Sequence, residues 1–225
     1  MQFSLNHSGK IQGSLVSSLL HIDASIRTTG SVSRQLTSHF ATEWRQNHPG
    51  AGYTYRDLGT QPIPHITHAV REAILDPSRD HGQTPQEQEL IDAVVGEIRE
   101  ATTVVLGVPM YNYTIPSTVK SWIDLLVSPA HMIPPGAESG PLSGKSVVVV
   151  TARGGSYAAG TPREGWDYQE PYLRAVLSSI GLADNLSFVH AELTMSAIVP
   201  AMAALKPMGE KSLADAQETL KKLAR

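Results

Sequence analysis

No cysteine occurs in this 225-residue chain. Disulfides, iron–sulfur clusters, thiolate zinc sites and cysteine nucleophiles are thereby excluded. Redox chemistry, if there is any, has to run through an organic cofactor. An excess of one charge is also missing. Eighteen Lys and Arg stand against 21 Asp and Glu, a formal net charge of −3. That balance gives no electrostatic footprint for nucleic acid or an anionic membrane. No segment reaches the roughly 20 apolar residues of a membrane helix. The first residues lack a basic stretch followed by an apolar one, so no signal peptide is expected. Gly-x-Gly-x-x-Gly after the first strand and Gly-Lys-Ser/Thr are both absent, which argues against dinucleotide-fold and P-loop readings. The carboxylates show no pairing suited to glycosidase chemistry. His65-Ile66-Thr67-His68 has no acidic partner nearby, so no metal site is expected. Internal repeats and low-complexity tracts are lacking too.

A hydrophobic fraction of 41% is present, ample for one large core. Residues 1–18, rich in Ser, Gly, Asn and Gln, read as an N-terminal extension, with the domain spanning residues 19–225. Leu19–Asp23 reads as a first strand, followed by the polar loop Ala24–Val32 and a helix with Leu36, Phe40 and Trp44 four apart. Tyr53–Asp57 reads as a second strand, and Ala69–Leu75 as a short helix. Thr84-Pro85-Gln86-Glu87 carries a capping box with Pro at the first helical position. Leu90, Ile91, Val94, Val95, Ile98 and Ala101 continue it as a buried stripe. Thr103–Val108 and Val147–Val150 are near-continuous apolar runs, as expected of parallel strands covered on both faces. Helices over Ile115–Val127 and Tyr172–Ile180, a strand over Leu186–Ala191 and a closing amphipathic helix complete the chain. The alternation predicts an α/β domain with a parallel sheet. Five strands in about 200 residues suit the flavodoxin-like doubly wound order, with helices on both faces.

Ligands bind at the carboxyl ends of strands in such sheets. Three loops fall there. Ser25, Ser31, Val32 and Ser33 lie where hydroxyls and helix N–H groups make an anion site. Pro109-Met110-Tyr111-Asn112-Tyr113 offers apolar contact, stacking and hydrogen bonds to something flat and partly polar, as a flavin ring is. In Ala152-Arg153-Gly154-Gly155 the paired glycines let backbone pass close to a ring. Alone, the first and third loops read equally as an ordinary cap or turn, and the Pro109–Tyr113 loop less so. Together, one binds phosphate and two clasp a ring, the demand of a mononucleotide flavin. Arg27 and Arg153 are further candidates for assisting anion binding.

The chain from about Leu19 onward resembles the bacterial FMN-dependent NADH-azoreductase / NADH:quinone oxidoreductase family. The resemblance rests on Ser25…Ser31-Val32-Ser33-Arg34-Gln35-Leu36, on Pro109-Met110-Tyr111-Asn112-Tyr113 and on Lys120-x-Trp122-x-Asp124-Leu125. Gly140-Pro141-Leu142-x-Gly144-Lys145 and Ala152-Arg153-Gly154-Gly155 carry it further. It implies a cytoplasmic, flavodoxin-like homodimer with one FMN per subunit. NADH or NADPH is the donor, and quinone or azo compounds are acceptors in ping-pong two-electron transfer. Ser25 and Ser31–Ser33 are implied on the phosphate side, with Met110–Tyr113 and Ala152–Gly155 along the ring. No catalytic residue is implied, because the flavin carries the chemistry. Two departures stand out. Residues 131–138 hold no aromatic where better-known members have a pocket wall, and the stretch over Pro162–Pro171 is longer and brings in Trp166 and Tyr168. Tyr113, Tyr157 and Trp166 are accordingly the expected substrate pocket. A flavodoxin-like electron carrier and a non-catalytic flavin-binding module are the competing readings.

Overall fold

A computed structural model describes residues 17–225. Most of the extension expected over residues 1–18 lies outside the described residues, and Ser18 already opens the first strand. Five strands, β1 (Ser18–Asp23), β2 (Gly52–Asp57), β3 (Thr103–Pro109), β4 (Ser146–Ala152) and β5 (Asn185–Ala191), form one parallel sheet in the order β2-β1-β3-β4-β5. The helices are α1 (Val32–Asn47), α2 (His68–Leu75), α3 (Pro85–Glu100), α4 (Ser117–Leu126), α5 (Glu170–Ser179) and α6 (Lys206–Leu223).

The apolar runs are continuous because neighbouring residues serve opposite faces. Leu20, Val104 and Val147 point into a core closed by α2, α3, α4 and α5. Leu19, Val105 and Val148 point into a second core closed by α1 and α6. Phe40 and Trp44 of α1 and Leu220 of α6 are buried there. With both faces covered, β3 and β4 leave no room for a polar alternation, whereas the edge strand β2 is exposed over Gly52–Tyr55.

Local chemistry sets the helix starts. Thr84 and Glu87 form the reciprocal capping box at α3. Ser31 caps α1 through its side chain, accepting from the Arg34 N–H at 3.4 Å. The motif residues Lys120 and Asp124 pair on the surface of α4, while Trp122 between them is buried in the core. Lys145 folds back to donate to the carbonyls of Arg99 and Ala101, closing the end of α3. Burial lowers its pKa.

The chain leaves β1 toward β2 on one side and crosses to β3 on the other. The sheet order therefore reverses between β1 and β3, which opens a crevice at their carboxyl ends.

Candidate functional site

The crevice, of about 280 Å³, lies where the loops after β1, β3 and β4 meet. Ser25, Ser31, Val32 and Ser33 line one end, and Pro109, Met110, Tyr111, Ala152 and Gly154 line the rest. Nine residues expected from sequence are thus gathered in one place. Arg27 and Gly30 line it as well, with Thr194, Met195 and Ile198 from the segment after β5. That last wall was missed by sequence reasoning. Thr194–Ala197 is a short 3-10 turn with no helical periodicity to read. Its place just beyond the carboxyl end of β5 was the available signal.

The β1 loop is held from several sides. The Ser25 hydroxyl accepts from the Arg27 N–H at 3.3 Å. Ser31 Oγ and Ser33 Oγ are 3.3 Å apart and both side chains are buried. Arg34 reaches back from α1, donating to the Ser25 carbonyl at 2.6 Å and to both carboxylate oxygens of Asp57 at 2.6 and 2.8 Å. Burial pushes the Asp57 carboxyl up, but bonds from Arg34 and Thr60 outweigh it and bring its pKa down to about 2. Tyr55, which bonds Asp23 and Arg34, is pushed well above the ordinary phenol range by burial and the two nearby carboxylates. The first turn of α1 carries no acidic residue. Among the described residues, Arg27 is the one charged side chain in the crevice lining. The surroundings there are complementary to an anion.

The β3 loop is a two-residue hairpin. Tyr111 and Thr114 exchange backbone bonds of 3.0 and 3.1 Å. The two residues between them, Asn112 and Tyr113, have φ of 50° and 71°. A turn with both central residues left-handed suits Asn and strains Tyr. The turn lays Met110 and Tyr111 in the crevice and sends Tyr113 outward. The Tyr111 hydroxyl accepts the Ile26 N–H at 3.3 Å, which ties the β3 and β1 loops together.

Asn112, Tyr113, Arg153 and Gly155 lie outside the crevice lining. For Arg153 the reason is clear. Its side chain is turned under the loop and buried, so it is not exposed to a ligand anion. It faces Asp167, Glu192 and Glu170 instead, at 2.8, 3.5 and 4.0 Å. His190 sits beside this cluster. Burial first and Arg153 second lower its pKa, while Glu170 opposes them. With the ring neutral, Nε2–H donates to Glu170 across 2.8 Å, and Nδ1 accepts from the Thr151 hydroxyl at 2.7 Å.

Tyr113, Tyr157 and Trp166 come together away from the crevice floor. Trp166 and Tyr157 meet the Tyr113 ring edge-on, at centroid distances of 5.4 and 6.5 Å. Residues 131–138 do not line the crevice. His131 is buried, bonded to Ser128, the Leu126 carbonyl and Arg99.

Known proteins share this fold. Residues 17–214 match the family model Flavodoxin_2, described as a flavodoxin-like fold. The FMN-dependent NADH:quinone oxidoreductase of Parafrankia sp. is 42% identical over 210 residues, covering 89% of this chain and 95% of that one. The FMN-dependent NADH:quinone oxidoreductase 2 of Trichormus variabilis is 41% identical over 210 residues, covering 91% and 97%. Among solved structures, an azoreductase from Bacillus anthracis superposes with a TM-score of 0.77 at 22% identity, covering 92% and 98%. An FMN-dependent NADH-azoreductase from the same species, in complex with FMN, gives 0.73 at 22% identity, covering 93% and 100%. At that identity the likeness is one of fold.

Proposed function

The chain belongs to the family of FMN-dependent NADH:quinone oxidoreductases, and on that premise we propose that it binds FMN in the crevice and reduces quinones and azo compounds with NADH or NADPH. One observation carries the reading. A single crevice at the sheet's switch point has buried hydroxyls, a helix N-terminus and one cation at one end. Apolar side chains and glycine backbone stand at the other. A flavin mononucleotide has that polarity, with its phosphate at one end and its ring at the other.

In this reading Ser25, Ser31, Val32, Ser33 and Arg27 hold the phosphate. Pro109, Met110 and Tyr111 flank one side of the ring, and Ala152 and Gly154 the other. Asn112, Arg153 and Gly155 shape the loops from behind. The N–H group of Gly154 has no acceptor among the described residues, so it is free to donate to a ring oxygen as negative charge grows. Bound FMN supplies the electron store between donor and acceptor. The overall balance is NADH, a proton and a quinone giving NAD⁺ and a hydroquinone. An azo bond needs two NADH and two protons to give two amines. The chain's part is to orient both rings at one face and exclude water. Tyr113, Tyr157 and Trp166 border the acceptor's approach.

The same reading makes the protein a cytoplasmic homodimer whose flavin-binding unit runs over residues 19–225. Ile26, Ile198 and Met208 expose more than half their surface, and Ile198 lines the crevice, which suits a partner subunit closing it. No described helix is long and apolar enough to cross a membrane.

The test is the visible spectrum of the purified protein reconstituted with FMN. A retained flavin band that anaerobic NADH bleaches and a quinone restores is expected. No retained flavin would overturn the cofactor assignment. Flavin retained but not bleached by NADH or NADPH would favour a carrier or binding module.

A further inference from the structure

Arg153 is 3% exposed, and its Nη2 lies 2.8 Å from Asp167 Oδ2 but off the line of the N–H bonds. A buried guanidinium with imperfect hydrogen bonds is costly. Its surroundings tell what it holds in place. Glu192 faces its other nitrogen and also binds the Ser156 hydroxyl and the Tyr157 N–H. Asp167, within the stretch over Pro162–Pro171, accepts the N–H groups of Gln169 and Glu170 and so fixes the start of α5. Just past Asp167 the Tyr168 N–H donates to the Tyr113 carbonyl at 3.1 Å. The arginine thus clamps both ends of the stretch from Tyr157 to Asp167 onto the β3 and β4 loops.

That stretch presents rings outward. Trp166 is 50% exposed while Trp44 and Trp122 are buried. Tyr113, Tyr157 and Trp166 form an edge-to-face panel on the same two loops that line the crevice. Tyr113 and Trp166 are exposed and Tyr157 half-buried, and aromatics grouped at a surface in this way are characteristic of binding surfaces.

We propose that Arg153 is a positioning residue for this panel, and that the panel binds the second aromatic ring of a two-ring acceptor whose reducible part sits in the crevice. The inference rests on the function proposed above and gives that site a preference. Acceptors with a fused or linked second ring are favoured over single-ring quinones.

The test uses the full chain loaded with oxidised FMN. Binding of menadione (two fused rings) and duroquinone (one ring) is measured by equilibrium dialysis, and kcat and KM are measured for each. Trp166→Ala is expected to reduce the preference for menadione about three- to tenfold, the worth of one aromatic contact. The loss should appear in KM and the dissociation constant rather than in kcat. Trp166→Phe, which keeps a ring, should restore most of it. Arg153→Lys should lower the same preference and shift the exposed-tryptophan emission. An unaltered preference in Trp166→Ala overturns the proposal, and so does equal weakening of both quinones. A change in oligomeric state with preference intact would mark the panel as a subunit contact, which also overturns it. Wild-type protein that binds the quinones but reduces neither would count against the proposed activity, while its dialysis ratio still decides the panel.

Discussion

Gly59 shapes the crevice although it does not line it. A Cβ built on it would stand 2.1 Å from the Ser25 carbonyl oxygen and 2.8 Å from an Arg34 nitrogen. The carbonyl belongs to the backbone and cannot swing aside as a flexible side chain would. Gly59→Ala is expected to push the β1 loop out of place. FMN affinity should fall at least tenfold and the melting temperature should drop by several degrees, read by flavin titration and thermal unfolding. Nothing around Gly59 in the sequence announces this, because the constraint is a contact between residues 34 positions apart. The crevice residues Ser25, Ser31, Pro109–Tyr111 and Gly154 were legible. Strand ends locate loops, and the chemistry of those loops is unusual. Arg153 misled for a physical reason. Sequence places its Cα at the crevice, but a side chain pointing down toward three carboxylates is a matter of tertiary packing.

One ion pair joins three elements. Arg34 in α1 bonds Asp57 at the end of β2 and the Ser25 carbonyl beyond β1. The folded Asp57 pKa of about 2 lies below the unfolded value of about 4. The pair's stabilisation is therefore complete above about pH 4 and is lost as pH falls toward about 2. Asp57→Asn should unfold more easily than wild type at pH 6, and the difference should shrink between about pH 4 and pH 2. Denaturant melts across that range check it, and a constant gap would be the wrong outcome. His190 behaves alike in sign. Its lowered pKa favours the neutral ring in the folded state, so its contribution falls away as pH drops below about 6.5. At this scale the sequence was read well wherever local rules decide. The Thr84 capping box and the five strands stand within a residue or two of expectation. Helix starts moved where a proline intervened. The helix expected from Ile115 begins at Ser117, after Pro116, and the one expected from Tyr172 begins at Glu170, with Pro171 in its first turn. The 3-10 turns over Thr194–Ala197 and Pro200–Leu205 carry no periodicity and went unread.

The molecule as a whole leaves its crevice open to solvent, and about 280 Å³ is at the small end for a ligand site. A partner subunit covering Ile26 and Ile198 would deepen it. Dilution that dissociates the proposed dimer is then expected to release FMN in parallel. Sedimentation velocity recorded at the flavin band would follow both, and flavin staying bound to a monomer would count against a shared pocket. The doubly wound topology followed from the alternation of strands and helices, since a parallel sheet leaves few other connections.

The second core has a consequence for how the protein is made. Leu19, near the start of the described chain, shares that core with Ala216, Leu220 and Ala224 at its end. The Asn47 side chain also donates to the Ala224 carbonyl at 3.1 Å. During synthesis β1 and α1 emerge early, yet α6, which covers them, is made only after all five strands. Until α6 is made, the sheet strands can pack on α1 but the part of this core that α6 covers stays bare, and this is the interval in which a nascent chain is exposed to aggregation and most in need of a chaperone. This face of the sheet is therefore closed only after α6 has been made.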